Sequence, residues 1–287
     1  MNVTASQCLQ MNFYKSEYTI LTIMFFTRHL LRTMSTTTAN AAVAAKIITI
    51  DVVSDTVCPW YDFHNWMCFI GKRRLEKAIA QTKETHPDTK FEITWHPYEL
   101  DPTLPKESVD KTEMYQKKFG EARMKQMFPH MEKVGQGENI AFDFGGRTGN
   151  TVDSHRLVWW ATKQGKQDEI VEELFRFYFE RKRDITDHQT LSEAAANVGL
   201  DHDAALAFLA TNEGHGEVKS EIYHNMRRNI NGVPHFNINK RGSLNSIQFI
   251  HPSHRYALSG AQPPETFVEL FEEVLAFLTW CSARGRA

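Results

Sequence analysis

The chain has 287 residues, 41% hydrophobic and 24% charged, with 33 Lys+Arg against 35 Asp+Glu and a formal net charge of -2. That balance excludes an electrostatic case for nucleic-acid binding, and no apolar run reaches the roughly 20 residues that a membrane-spanning helix needs. Four cysteines are too few for a disulfide scaffold at this length and suit a reducing compartment with one working pair.

Residues 1–45 read as a leader separate from the fold. An apolar run at 18–26 is followed by Arg28 and Arg32, and Glu17 is the single acid among the first 33 residues. A secretory signal would place its positive charge before the apolar run, so that reading is weak, whereas an acid-poor, Arg-containing leader fits mitochondrial import. The simpler reading takes Met34 as a second start, followed by a disordered Ala/Thr linker. A cytoplasmic location is therefore expected, with the mitochondrion as the alternative.

The β-branched stretch 46–53 is nearly continuous in apolar residues, as expected of a central strand covered on both faces. It ends in Ser54-Asp55-Thr56-Val57-Cys58-Pro59-Trp60, which delivers a thiol to the start of a helix. Cys68 follows after nine intervening residues and opens a helical pattern over 69–83. Ile70, Leu75, Ala78 and Ile79 share its apolar face, with Lys72, Arg73, Arg74 and Lys77 expected in water. Without 61–67 the text would read Cys58-Pro59-Trp60-Cys68, a C-x-x-C of the kind used in thiol–disulfide exchange. Cys8 and Cys281 read as incidental thiols.

Residues 91–97 alternate apolar and polar and stop at Pro97, predicting a second strand joined to the first by a right-handed parallel crossover. Five helical stretches follow, at 114–131, 153–164, 167–182, 191–198 and 204–211. Gly145-Gly146-Arg147-Thr148-Gly149 lacks the spacing and the Lys-Ser/Thr ending of a phosphate loop and is read as a turn. Asp153 or Asn150 is the expected cap of the helix after it. His155 has no second ligand at i+4 and is read as a packed or surface residue. A helix at 217–229, a turn and strand at 231–239, a short strand at 255–260 and a closing helix from Pro264 complete the chain. That last helix has Phe267, Leu270, Phe271, Val274, Leu275 and Leu278 on its apolar side.

Four blocks stand in a defined order: Ser-Asp-x-x-Cys-Pro-Trp at 54–60, Phe-Ile-Gly-Lys-Arg-Arg-Leu-Glu at 69–76, Gly-Val-Pro-His-Phe at 232–236, and Ser-Gly-Ala-Gln-Pro-Pro-Glu at 259–265. Together they resemble the DsbA-like thioredoxin-fold family, FrnE branch, over roughly residues 46–280. Kappa-class glutathione transferases and 2-hydroxychromene-2-carboxylate isomerases are related to that family. The resemblance implies an α/β, thioredoxin-like fold with a large all-helical insertion between the two halves of the sheet. Residues 46–101 and 214–287 would form the thioredoxin-like domain, and 102–213 the inserted helical domain.

It further implies a thiol–disulfide oxidoreductase. Cys58 would be the exposed nucleophile, favoured as thiolate by the amino end of the first helix, and Cys68 the resolving partner. Pro59 and Trp60 would lie between the cysteines, and Pro234, after Val233, would be the cis-proline whose loop pairs with an extended substrate. No metal or organic cofactor is implied, with glutathione as a candidate reductant or co-substrate. The partner would be a disulfide-containing protein, peptide or small molecule, with no nucleic acid and no membrane, and the protein a monomer or homodimer.

Residues 61–67 and about 241–254 depart from the family pattern, as insertions or as gene-model errors. Two other functions stay open: a glutathione-dependent transferase or isomerase, against which Cys-Pro-Trp tells, and a thioredoxin-like binding protein whose interrupted pair is inactive. Zinc held by Cys58, His64 and Cys68 would lack a fourth ligand.

Overall fold

A computed structural model describes residues 46–58, 68–228, 230, 232–239 and 256–284. The first strand, β1 (Ile47–Ser54), buries Ile48, Ile50 and Val52 completely, since β-branched side chains suit a pleated, packed surface. Helix α1 (Cys68–Thr85) buries Phe69, Ile70, Leu75 and Ala78 and ends just before His86 and Pro87, where the residue preceding proline disfavours helix. Strand β2 (Lys90–Pro97) then runs parallel to β1, in a register that pairs Ile47 with Lys90 and Ser54 with Pro97.

The insertion starts with a two-residue strand, β3 (Val109–Asp110), followed by α2 (Lys111–Phe119) and α3 (Glu121–Gly137). The single helix expected at 114–131 is thus two helices. Gly120, at φ 78°, ends one and begins the next, a conformation that costs glycine little and other residues much. The glycine-rich run is likewise more than a turn. Its Arg147 and Thr148 form β4 (Arg147–Thr148), antiparallel to β3.

Four helices continue the insertion: α4 (Val152–Thr162), α5 (Gln167–Phe179), α6 (His188–Asn197) and α7 (His202–Leu209). Thr151 takes the N-cap position of α4, while Asn150 accepts the Val152 N–H at 3.0 Å, so Asn150 and not Asp153 serves the helix start. Asp153 instead binds Arg156 at 2.7 Å and His188 at 2.8 Å.

Helix α8 (His215–Met226), β5 (His235–Ile238), β6 (Tyr256–Ser259) and α9 (Pro264–Arg284) close the chain. The sheet order is β2-β1-β5-β6, with β5 antiparallel to both neighbours, so β1 is central as its apolar content requires. Helices α1 and α9 pack together, and α9 buries Phe267, Phe271, Val274 and Leu275. Helix α5 lies against α1 and the edge strand β2, where Phe69 meets Phe175 at 5.4 Å. The Gln167 amide takes the Trp95 N–H and donates to the Trp95 carbonyl, both at 2.9 Å, occupying the hydrogen-bonding groups of an otherwise open sheet edge.

This packing overturns the solvated reading of the α1 cations. Lys72 is 3% exposed, bonded to Glu76 and set between Asp168 at 3.2 Å and Glu172 at 3.4 Å. Burial alone would lower its pKa, yet the three carboxylates raise it. Arg73 pairs with Glu172 at 2.9 Å and Arg74 with Glu138 at 2.7 Å, so the insertion supplies the acids that make burial of these cations tolerable. Lys77 is partly exposed and reaches Glu138 at 2.6 Å.

Candidate active site

The end of β1 leads through Asp55, Thr56 and Val57 to Cys58, and α1 begins at Cys68. Although nine residues separate them, the two cysteines come close enough to act on each other: the Cys68 thiol and its backbone N–H both bear on the proton affinity of Cys58. Both are free thiols. The mouth of α1 therefore holds both sulfurs, as a C-x-x-C would. Cys58 also lies 3.7 Å from the Val233 carbonyl. The Val233–Pro234 bond is cis, as the family resemblance implies, and both residues are buried beside the thiol pair.

Cys58 departs from expectation in two ways. It is 2% exposed and Cys68 0%, so neither is an exposed nucleophile. The Cys58 pKa is pushed well above the ordinary thiol range, first by its hydrogen bond with Cys68, then by burial and by charge on Cys68, with Asp55 adding to the rise. The Cys68 N–H acts in the opposite direction but does not outweigh them. Two adjacent thiols share one proton more easily than they lose both. Pro59, Trp60, His64 and both departing segments, 61–67 and about 241–254, lie outside the described residues.

The surroundings hold residues that the sequence did not single out for a role. Asp55 is 1% exposed, and its carboxylate accepts the Leu100 N–H at 2.8 Å and the Val57 N–H at 3.4 Å. His155, on α4, is 5% exposed, with Nε2 3.0 Å from the Tyr98 carbonyl and 3.4 Å from Asp55 Oδ1. Its packed reading is right about burial and omits the carboxylate. Next to it, Ser154 and Thr56 share a 2.7 Å hydrogen bond, so the insertion is bonded directly to the loop that carries Cys58.

A tyrosine network stands on another side. Tyr178 donates to Thr148 at 2.9 Å and hydrogen-bonds Tyr115, and both phenols are close enough to Cys58 to feel its charge. Burial pushes the Tyr178 pKa up to about 12. Beneath Tyr178, buried Lys111 donates to the Tyr178 carbonyl at 2.8 Å and lies 3.8 Å from its ring centre. No local pattern announced these contacts, because their partners come from distant helices. The Asp in Ser-Asp-x-x-Cys was the only available signal.

A cleft opens between the ends of β1 and β2 and helices α4, α5 and α8. Its lining includes Ser54, Thr56, His96, His155, Trp159 and Glu221. His96 bridges Glu221 at 2.5 Å and Asp51 at 3.3 Å; burial alone would lower its pKa, but the two carboxylates raise it to about 9. Among the described residues, no group of three or more His, Cys, Asp or Glu side chains is arranged to hold a metal ion.

A thioredoxin-type sheet interrupted by helices, a dithiol at the mouth of the first helix and a cis-proline against it define a thioredoxin-fold protein of the DsbA type. The chain belongs to the DsbA-like thioredoxin domain family, which matches it over residues 49–272. The "probable DsbA oxidoreductase" of Streptomyces coelicolor is similar at 25% identity and a TM-score of 0.65, covering 80% of this chain and 90% of that one. The cytosolic disulfide reductase DsbM of Pseudomonas aeruginosa shares the fold at 14% identity and a TM-score of 0.52, covering 80% and 99%. A 2-hydroxychromene-2-carboxylate isomerase does so at 11% identity and a TM-score of 0.52, covering 82% and 98%. No curated protein matches the chain by sequence. Among the described residues, no helix is long and apolar enough to cross a membrane.

Proposed function

We propose that this protein is a dithiol–disulfide oxidoreductase of the FrnE type, acting on protein or small-molecule disulfides in the cytoplasm. The observation that carries this is the meeting of Cys58 and Cys68 at the mouth of α1, beside Val233–Pro234, despite the residues between them. The Cys58 thiolate attacks a substrate disulfide, forming a mixed disulfide and releasing one substrate thiolate. The Cys68 thiolate then attacks Cys58 sulfur, which closes the internal disulfide and releases the second. Two electrons pass to the substrate, and no metal or organic cofactor takes part. The Val233–Pro234 edge and the segment with Pro59 and Trp60 would hold the extended substrate by strand pairing. Glutathione is the proposed small-molecule reductant; a DsbM structure with GSH exists for that fold relative.

The burial of Cys58 favours a second reading, an inert scaffold. Thiol counting in glutathione buffers of graded potential separates the two. An oxidoreductase loses two titratable thiols over a narrow potential range, Cys58→Ser abolishes insulin reduction, and Cys68→Ser traps mixed disulfides. A constant thiol count, or equal activity in both variants, leaves the scaffold.

A further inference from the structure

The cleft between β1, β2 and helices α4, α5 and α8 is a concave site apart from the thiols: Cys58, Cys68, Val233 and Pro234 are not among its lining residues. Its cavity volume is about 160 Å³, and an apolar cavity of about 150 Å³ takes a single benzene ring. The walls suit such a ring. Trp95, Val158, Trp159, Val171 and Phe175 form them, and the Trp95 and Phe175 rings already meet edge to face at 6.1 Å.

The polar lining decides what that ring must carry, because the donors are committed. Trp95 Nε1 donates to Asp168 at 2.8 Å, the Gln167 amide to the Trp95 carbonyl at 2.9 Å, and the Thr162 hydroxyl to the Val158 carbonyl at 2.9 Å. Thr56 donates to Ser154 at 2.7 Å, since the Ser154 hydroxyl gives its own hydrogen to the Thr151 carbonyl. His96 is held by Glu221 on one ring nitrogen and Asp51 on the other. No lysine or arginine is among the lining residues, so an anion finds no free cation there. The Ser54 and Thr94 hydroxyls can turn to either role.

Acceptors, by contrast, are left over. Glu221 gives Oε1 to His96 and keeps Oε2. Buried His155 sets Nε2 against two acceptors, the Tyr98 carbonyl at 3.0 Å and Asp55 Oδ1 at 3.4 Å. Nε2 therefore carries the ring hydrogen, and Nδ1 is a lone pair with no hydrogen bond among the described residues.

We propose that the cleft binds a small aromatic amine, its one ring between the aromatic and aliphatic walls and its ammonium group donating to Glu221 Oε2 and His155 Nδ1. An ammonium brings three donors and no acceptor, which matches a lining with acceptors to spare, and aromatic faces beside a carboxylate favour its charge. The site does not rest on the redox reading, because neither thiol takes part in it.

The test is isothermal titration calorimetry of the full-length protein at pH 8 with three probes: 2-phenylethylamine, phenylacetate as the anion of similar shape, and n-butylamine as the amine without a ring. Saturable one-site binding of 2-phenylethylamine is expected, with the other two weaker by about tenfold or more. Glu221→Gln removes the carboxylate charge, and His155→Gln keeps a donor for the Tyr98 carbonyl but leaves nothing at the Nδ1 position. Each should weaken the amine about tenfold, as loss of a charge-assisted hydrogen bond does. Val158→Trp fills the cleft and should abolish binding, with thermal melts showing which variants fold. No saturable binding of 2-phenylethylamine, or phenylacetate binding as tightly, overturns the proposal from the wild type alone, whatever the variants do. Unchanged affinity in folded Val158→Trp, or in both acceptor variants, places the amine elsewhere and overturns it too.

Discussion

Gly71 lies where Pro234 crosses the first turn of α1: a Cβ at Gly71 would come within 2.7 Å of the proline Cγ and 3.1 Å of Phe236 Cζ. The absent side chain lets the cis-proline loop close over the helix that begins at Cys68. Gly71→Ala is expected to push the loop away, lowering stability by about 1–3 kcal/mol as overpacking does, and to loosen the Cys58 contact with the Val233 carbonyl. Chemical denaturation with a parallel thiol-alkylation rate would check this; an unchanged midpoint and rate would show that the proline ring gives way freely.

Asp55 raises the Cys58 pKa through its charge, behind the larger effects of Cys68 and burial. Asp55→Asn removes that charge while keeping an acceptor for the Leu100 N–H. Its iodoacetamide profile should therefore shift to lower pH than that of the wild type, which itself titrates above an ordinary thiol. A shift to higher pH would mean that the carboxylate does not act on the pair.

His96 binds its proton more tightly when folded, with a pKa of about 9 against 6.5 for the free side chain. Its contribution is thus fully present below pH 6.5 and is lost as pH rises through 9. Glu221→Gln removes one of its two acceptors. The variant should lose stability at pH 6–7, by at most about 3 kcal/mol, and little at pH 9.5 or above, as thermal melts across that range would show.

Lys111 presents the opposite sign. Burial first, and Lys182 behind it, lower its pKa from 10.5 to about 8, with Asp143 opposing them. Folding therefore disfavours its charged form, and wild-type stability should rise between pH 8 and 10.5. Lys111→Met keeps most of the volume, gives up the bond to the Tyr178 carbonyl and removes the buried cation. It is expected to gain about 1–2 kcal/mol at pH 7 and to lose that advantage by pH 10. A variant less stable at pH 7 would show that the bond and ring contact outweigh desolvation.

Much of the fold could be read locally. β1, β2, α1 and α9 follow from apolar spacing and proline stops, which depend on residues within a few positions of one another. The misread places share a cause. Gly120 divides a helix whose apolar period runs on through it, and Lys72 looks solvated because Asp168 and Glu172 lie about a hundred residues away. Likewise, Arg147 and Thr148 become a strand only because Val109 and Asp110 lie alongside.

The order of residues by itself determined that a strand would deliver Cys58 toward a helix opened by Cys68, and that a Gly-Val-Pro turn would precede a late strand. Such features are set by backbone preferences over short stretches of chain. Only the tertiary structure decided that the two thiols meet, that they are buried and not exposed, and that Asp55 and His155 stand behind them. Proximity, burial and proton affinity arise when segments far apart in the chain exclude water together, and no local pattern carries that information.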